Sequence, residues 1–310
     1  MTAQPARKVL NISRLAGDEL AIARSVLYAS LFDYPLTLAQ VRQTLIESVQ
    51  TPSQILKTYD ASDALQAAIE YRDGFFFPRG AAALVEERRR RESRSRAFLG
   101  RHRRLLTLVS AIPYLRLAAL SGSIAHLNLE GDGDLDLFIV TRGRHVWSVT
   151  VAVVILAKLM GRRRILCANF VVADSHLCLD QRDLFTASQI VHLKPLVGPD
   201  VFREFVAANP FVGRFYPNFY SAGSSSVPFK LHPIAAWAKR AVERMFDWPS
   251  RAVEAFCRRS YRAYLSRQSA SWQSPEQVRL EDDYLKLHTR SHRHSVMDRF
   301  ERAVRTLEGS

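Results

Sequence analysis

Residues 115–141 read Leu-Arg-Leu-Ala-Ala-Leu-Ser-Gly-Ser-Ile-Ala-His-Leu-Asn-Leu-Glu-Gly-Asp-Gly-Asp-Leu-Asp-Leu-Phe-Ile-Val-Thr. An apolar run over 115–120 ends in a Ser-Gly-Ser turn. A polar, glycine-rich loop then leads to a second apolar run over 135–140. Short apolar runs that are bounded by Gly, Asn and Asp are typical of buried strands. This stretch therefore predicts two buried strands joined by a loop.

Two aspartates open the second predicted strand. Because strand side chains alternate between faces, Asp134 and Asp136 should project to one side. A carboxylate pair there is costly unless a cation compensates its charge. Mg²⁺ takes one or two carboxylates together with substrate phosphates, so we predict Mg²⁺, with Mn²⁺ as the alternative. Gly122 would let the backbone approach a ligand, and the amides and hydroxyl of Ser123 could hold a phosphate. Together these residues predict a metal–nucleotide site.

The pattern of these residues is similar to that of a known family. Gly122-Ser123, followed by Asp134-Leu135-Asp136 on an apolar strand, resembles the signature of the DNA polymerase beta-like nucleotidyltransferase superfamily. More narrowly, the chain resembles bacterial nucleotidyltransferase-domain proteins in which a winged-helix-like segment precedes the motif. The resemblance covers about residues 17–220. It implies that the Gly-Ser turn and the Asp-x-Asp strand hold a metal-bound nucleoside triphosphate.

The next predicted strand departs from the family pattern. A crossover helix over 145–160 leads to this strand, over 165–172. Catalytic members carry a third carboxylate there, which helps hold the metal and deprotonates the attacking hydroxyl. The alignment places Asn169 at that position, and an amide oxygen can ligate a metal but cannot act as a base. Asp174 could supply the carboxylate from the end of the strand. Binding of a metal-bound nucleotide is thus better supported than catalysis.

Lys194 follows a predicted helix over 183–193. The resemblance implies that this segment packs beside the active cleft, where Lys194 could approach a triphosphate. The alternative is a cation favoured by the helix dipole.

Two simpler interpretations of the acidic loop need comparison. A calcium loop starting at Asp132 requires Gly at its sixth position and Glu at its twelfth. The chain has Leu137 and Gly143 there, which argues against calcium. A solvated acidic turn without any ligand stays open.

The net charge of the 310-residue chain is +14, which favours polyanionic partners such as nucleic acid, anionic membrane or phosphorylated molecules. An arginine-rich composition from a GC-rich genome is the alternative.

The three cysteines lack paired metal-ligand spacing, so we predict free thiols in a reducing cytoplasm. The N-terminus has no apolar signal core. The longest apolar run, Val146 to Met160, falls short of the roughly 20 residues that span a bilayer. We therefore expect a cytoplasmic protein without a transmembrane segment.

The pattern along the chain predicts an α/β protein, in the α+β sense, of four parts. These are a winged-helix-like domain (1–80), a basic connector helix (81–112), a nucleotidyltransferase core with a small mixed sheet backed by helices (113–220) and a C-terminal helical region (221–310).

In the first part, helices are predicted from Asp18, from Thr37 as an N-cap and over Ser62–Tyr71, before a strand over 75–77. Up to Glu70, the third helix carries two acidic side chains and no basic side chain. This charge favours a structural or partner-docking role over nucleic-acid binding. The connector is crowded with arginines. It is either a solvated helix or an electrostatic funnel for phosphates.

The C-terminal region begins with a serine-rich linker over 221–226. Helices are then predicted over Pro233–Phe246, Pro249–Ser266 and Pro275–Leu307, with aromatic residues that serve as core, as base-stacking groups or as an amphipathic membrane-surface face. The region also contains a histidine group, His288, His292 and His294. His288 and His292 share a helix face without a clear third ligand, so hydrogen-bonded or exposed histidines are favoured over a metal site.

These observations support one leading function and one alternative. The leading hypothesis is a metal-dependent nucleotidyltransferase that moves a nucleoside monophosphate group from a triphosphate to an unidentified hydroxyl acceptor and releases pyrophosphate. The alternative is an inactive scaffold or regulator that binds nucleotide or nucleic acid.

Overall fold

The computed structural model describes residues 15–219, 233–246, 250–287 and 292–308. Within them the protein is a mixed α/β structure, as predicted. The helices are α1 (Gly17–Ser30), α2 (Leu38–Gln43), α3 (Pro52–Ala61), α4 (Asp63–Ala68), α5 (Ala83–Ser110), α6 (Gly122–Ala125), α7 (Val146–Leu159), α8 (Leu184–His192), α9 (Pro199–Ala207), α10 (Phe211–Phe215), α11 (Pro233–Phe246), α12 (Ser250–Gln268) and α13 (Arg293–Glu308). The strands are β1 (Leu36–Thr37), β2 (Ile69–Arg72), β3 (Phe75–Pro78), β4 (Leu115–Ser121), β5 (Leu135–Thr141), β6 (Leu166–Ala173), β7 (Lys194–Val197), β8 (Val278–Leu280) and β9 (Tyr284–Leu287).

The described residues divide into two compact units. The first unit contains residues 15–86, 216–218 and 295–308, and the second contains the remainder. In the first unit, α1 to α4 accompany an antiparallel sheet of order β1-β3-β2. The sequence pattern predicted three helices before one strand, whereas residues 15–78 form four helices, with β1 between α1 and α2, and end in a β-hairpin. A winged-helix-like domain therefore stays a prediction. Thr37 caps α2 as predicted, in a reciprocal capping box with Gln40.

The core of the first unit is formed by the apolar faces of α1 to α4 with β1, β2 and β3. Val41, Ile55 and Phe76 are among its fully buried side chains. The part of α13 that belongs to this unit adds Phe300, whose ring meets the edge of the Tyr28 ring at 5.2 Å.

The predicted third helix over Ser62–Tyr71 is wrong in its second half. α4 ends at Ala68, and the next four residues form β2. The reason is the turn that follows, because Asp73 and Gly74 both adopt positive φ angles of 54° and 82°. Two such residues form the tight turn that favours a β-hairpin, and the hairpin pairs β2 with β3.

The second unit is built on a six-stranded sheet of order β7-β4-β5-β6-β9-β8. β5 and β6 are parallel, and the other adjacent strands are antiparallel. β5 lies inside the sheet and its residues 137–140 are buried on both faces, which explains their continuous apolar sequence. α7 connects the two parallel strands. Trp147 near its start is fully buried and donates a hydrogen bond from Nε1 to the carbonyl of Glu281.

Two C-terminal predictions need correction. The helix predicted over Pro275–Leu307 is wrong for β8 and β9, which are strands that extend the central sheet, so the region 221–310 is not purely helical. β9 pairs with the outer edge of β6, and this edge supplies hydrogen-bond partners that no local pattern reveals. Lys194 likewise begins β7 rather than ending a helix.

Other sequence-based predictions agree with the structure or lie outside it. α5, α11 and α12 form close to the expected boundaries. All three cysteines have free thiols. None of the helices in the described part of the chain has both the length and the apolarity needed to cross a bilayer. The serine-rich linker over 221–226 and His288 lie outside the described residues.

Candidate functional site

The carboxylate pair lies at the beginning of β5. Asp134 immediately precedes the strand, and Asp136 is its second residue. In the sheet register, Asp136 is paired with Ser121 of β4 on one side and with Cys167 of β6 on the other. One oxygen of each aspartate and the Cys167 Sγ all lie within 4.8 Å of one another. Among the described residues this is the one group of three or more such side chains close enough to share a metal ion.

Gly122 contacts the carboxylate directly. Its φ of +64° lies in the left-handed region, and a Cβ atom at this position would be 2.7 Å from Asp136 Oδ2. Both the backbone conformation and the contact therefore require glycine. Ser123 follows as the second residue of α6 and is exposed, while its carbonyl accepts a hydrogen bond from the Asn128 amide. The turn and the carboxylates that were predicted to act together thus lie side by side.

Asn169 completes the group from β6. Its Nδ2 donates a hydrogen bond to Asp136 Oδ1 at 2.5 Å. The amide therefore lies next to the carboxylate pair, where a third carboxylate was sought by alignment. It fixes the orientation of Asp136, but it cannot accept a proton from an attacking hydroxyl.

Asp174 is not part of this site, and its predicted role is wrong. In the parallel register Asp136 is level with Cys167, whereas Thr141, at the far end of β5, is level with Ala173. Asp174 therefore lies at the opposite end of β6, roughly 20 Å along the strand at about 3.3 Å per residue. There its carboxylate accepts hydrogen bonds from Arg116 at 3.0 Å and from the Gly143 amide at 2.9 Å. These contacts secure the turn after β5.

The electrostatics of the site reflect closely spaced acids in a partly buried position. Burial, and then the neighbouring Asp134 charge, raises the pKa of Asp136 to about 7. Burial likewise raises the pKa of the Cys167 thiol to about 11, with further contributions from both aspartates. The thiol is therefore protonated at neutral pH. Two carboxylates and an amide are oxygen donors suited to a hard divalent cation such as Mg²⁺, whereas a protonated thiol is not a ligand for it.

Lys194 lies in a different environment. It is the first residue of β7, opposite Leu120, and burial lowers its pKa. Its charge lowers the pKa values of His126 and His192, although burial is the larger cause for both histidines. The two histidine rings are 4.0 Å apart. None of the described carboxylates forms an ion pair with Lys194. The structure thus groups this lysine with two histidines rather than with the aspartates.

Cys167 is the member of the group that the sequence analysis did not assign to the site. The available signal was its position two residues before Asn169, because strand residues two apart face the same side. Sequence spacing between cysteines could not reveal it, since the other members are carboxylates on another strand.

Comparison of the chain with protein-family models, with curated proteins and with solved structures gave no match.

Proposed function

We propose that the protein is a metal-dependent nucleotidyltransferase that moves a nucleoside monophosphate group from a triphosphate to a hydroxyl acceptor and releases pyrophosphate. The observation that carries this proposal is the convergence of Asp134 and Asp136 beside Gly122 at the start of a central strand. The raised pKa of Asp136 marks negative charge that a divalent cation would compensate. The resemblance of the Gly-Ser and Asp-x-Asp pattern to the nucleotidyltransferase superfamily supports the same chemistry.

Each residue has a distinct role in this proposal. Asp134 and Asp136 would hold Mg²⁺, or Mn²⁺ in its place, and Asn169 would keep the Asp136 carboxylate in position. Gly122 leaves room for a ligand beside that carboxylate, and Ser123 would donate hydrogen bonds to a phosphate oxygen. When bound, the cation would neutralise charge on the phosphates.

A second candidate, nucleotide binding without transfer, is favoured by one specific observation. Within the described chain, the group at the start of β5 contains no third carboxylate, because Asn169 occupies the neighbouring position and Asp174 lies at the other end of β6. Nothing in the group except the aspartates themselves could remove a proton from an acceptor hydroxyl. A protein of this kind would act as a nucleotide-responsive scaffold.

The first test is calorimetric titration of the full-length chain with non-hydrolysable ATP, GTP, CTP and UTP analogues, each with and without Mg²⁺. We expect at least one analogue to bind only with the metal. Asp136→Asn should weaken that binding by at least about tenfold, because it removes a metal ligand while keeping the side-chain shape. Asp60→Asn is the control, since Asp60 is an exposed residue of α3 outside the metal group. Metal-independent binding, or equal binding by Asp136→Asn, would contradict the proposal.

A transfer assay separates the two candidate functions. The chain is incubated with α-labelled triphosphates, Mg²⁺ and RNA, protein or small hydroxyl acceptors. Label transfer that is lost in Asp136→Asn and kept in Asp60→Asn supports the enzyme. Metal-dependent binding with no transfer to any of these acceptors favours the scaffold.

A further inference from the structure

A basic cleft in the second unit is lined by the segments that immediately precede β5 and β6. It has a volume of about 1170 Å³ and three walls. One face of α5 forms the first wall, where Phe98 and Arg101 are a turn apart. The loop 130–133, which leads directly to Asp134, forms the second. The end of α7 and the turn 161–165 before β6 form the third. The cleft is therefore continuous in sequence with the starts of both parallel strands.

Six cations line this cleft, but two of them already have structural roles. Arg94 donates hydrogen bonds to the carbonyls of Leu129 and Glu130 and so fixes the loop. Arg163 forms a hydrogen bond with the Tyr261 hydroxyl, and its charge favours the ionised form of that group. None of the described carboxylates forms an ion pair with the other four, which are Arg101, Lys158, Arg162 and Arg164.

Acidic side chains do not neutralise the cleft. Two carboxylates, Glu130 and Asp132, belong to its lining. Glu130 is already paired with Arg91 on α5, at 3.2 Å. Four cations without ion-pair partners in a concave surface attract an anion, and arginine forks match phosphate oxygens in particular.

The sheet order separates this cleft from the proposed nucleotide position. β5 lies between β4 and β6. Gly122 and Ser123 follow β4, so they flank Asp136 on one side. The turn 161–165 precedes β6 and flanks the same carboxylates on the other side, where the Leu135 amide donates to the Ile165 carbonyl at 2.6 Å. The turn 161–165, which lines the cleft, thus lies on the side of β5 opposite to the Gly-Ser turn.

We propose that this cleft, beside the start of β5, binds the phosphate groups of the acceptor. The identification of the ligand as the acceptor rests on the proposed function, whereas phosphate binding in the cleft does not depend on it. The phosphates can come from a nucleic-acid strand or from a small phosphorylated molecule. Because four cations exceed what one phosphate requires, a strand should bind more tightly than a monophosphate.

The test compares two triple variants of the full-length chain that lose the same charge. The cleft variant is Arg101→Gln/Arg162→Gln/Arg164→Gln, which spares Arg94 and Arg163 because those side chains support the fold. The control variant is Arg251→Gln/Arg259→Gln/Arg267→Gln, on exposed positions of α12. Fluorescence anisotropy of labelled single-stranded RNA and DNA, without nucleotide or metal, measures binding across a salt series. Inorganic phosphate, AMP and polyglutamate serve as competitors.

We expect the cleft variant to bind the strand at least about tenfold more weakly and the control variant to bind like the wild type. Loss of three phosphate contacts should also reduce the slope of log affinity against log salt by about 2. Displacement by AMP or phosphate at affinity equal to that of the strand would identify a small phosphorylated acceptor as the source. Equal losses in both variants, equal competition by polyglutamate, or no binding of any phosphate probe by the wild type would overturn the proposal.

Two further measurements keep this inference distinct from the proposed function. Asp136→Asn should retain strand binding, because the cleft does not use the carboxylates. The cleft variant should retain Mg²⁺-dependent binding of the triphosphate analogue. If triphosphate binding fails while strand binding depends on the cleft, the nucleotidyltransferase proposal fails and the cleft remains a phosphate site.

Discussion

Asn169 donates a hydrogen bond to Asp136 across the two parallel strands, at 2.5 Å between Nδ2 and Oδ1. In the proposed nucleotidyltransferase site, this contact occupies the position that the resemblance assigns to a third carboxylate. A neutral donor there reduces the repulsion that a third acid would add to Asp134 and Asp136. Burial and Asp134 already raise the pKa of Asp136 to about 7, so a third acid at this position would need a cation to compensate its charge.

Asn169→Asp tests this idea. Without metal we expect the variant to be destabilised by about 1–3 kcal/mol, because a donor becomes a charge facing Asp136. Excess Mg²⁺ should restore much of that loss, so the metal-induced rise in the thermal midpoint should exceed that of the wild type. Asn169→Ala is the control, since it removes the hydrogen bond without adding charge. Equal metal-induced shifts in the two variants would count against a cation at this position.

Gly122→Ala should damage the site more than Gly131→Ala, a change in the loop before β5. The methyl group would lie 2.7 Å from Asp136 Oδ2, on a backbone with φ of +64°. Such strain costs about 1–3 kcal/mol. We also expect metal and nucleotide binding to weaken because Asp136 must move. Chemical denaturation and calorimetry measure both effects.

Gly131→Ala is the matched control for that change. Gly131 lies in the loop before β5, and a Cβ there would meet no atom within 4 Å. It should therefore leave stability and ligand binding nearly unchanged. Equal stability and equal ligand binding in the two alanine variants would mean that the contact between the turn and the carboxylate does not contribute to the site.

The cysteines should differ in reactivity. Burial raises the pKa of Cys167 to about 11, and the thiolate is the reactive form, so alkylation at neutral pH should be slow. Cys178 is exposed and serves as the internal reference. Iodoacetamide treatment followed by peptide mass mapping should show Cys167 modified at least about tenfold more slowly in the folded protein. In urea the two rates should converge. Equally fast modification of both in the native state would refute the buried, protonated Cys167.

The sequence was sufficient to predict the strands and turn that build the site. The apolar runs at β4, β5 and β6 and the carboxylates of Asp134 and Asp136 follow from residue order alone, because period and turn residues are local properties. That Gly122 acts together with Asp136 was expected from the resemblance, and their proximity depends on the antiparallel pairing of β4 with β5.

Features that depend on pairing between distant strands were not predictable. The register of β5 against β6 decides that Cys167 and Asn169 reach Asp136 and that Asp174 does not. β9 is a strand because β6 offers it an edge, although its local sequence is compatible with a helix. The basic cleft likewise combines three segments that are separated along the chain, so composition indicated a polyanion-binding surface without locating it.

The His126–His192 pair should make the folded protein sensitive to mild acid. Burial is the largest cause of the lowered pKa values, to about 4 for His192, and the nearby Lys194 adds to it in both residues. The unfolded chain, with a histidine pKa near 6.5, therefore binds protons that the folded chain does not between pH 6.5 and 4. Stability contributed by the neutral pair is present above pH 6.5 and is lost as the pH falls through this range. Each histidine contributes at most about 1.4 kcal/mol per pH unit.

His192→Gln removes one titrating group while keeping a polar side chain. Urea denaturation at a series of pH values from 7.5 to about 4 should show a smaller loss of unfolding free energy on acidification in this variant than in the wild type, because one linked proton is gone. His294→Gln, at an exposed position of α13, is the control and should reproduce the wild-type slope. Carboxylates titrate in the same range, so the comparison uses the difference between the variants rather than either slope alone. An identical acid dependence in His192→Gln and the wild type would mean that the pair does not remain neutral in the folded state.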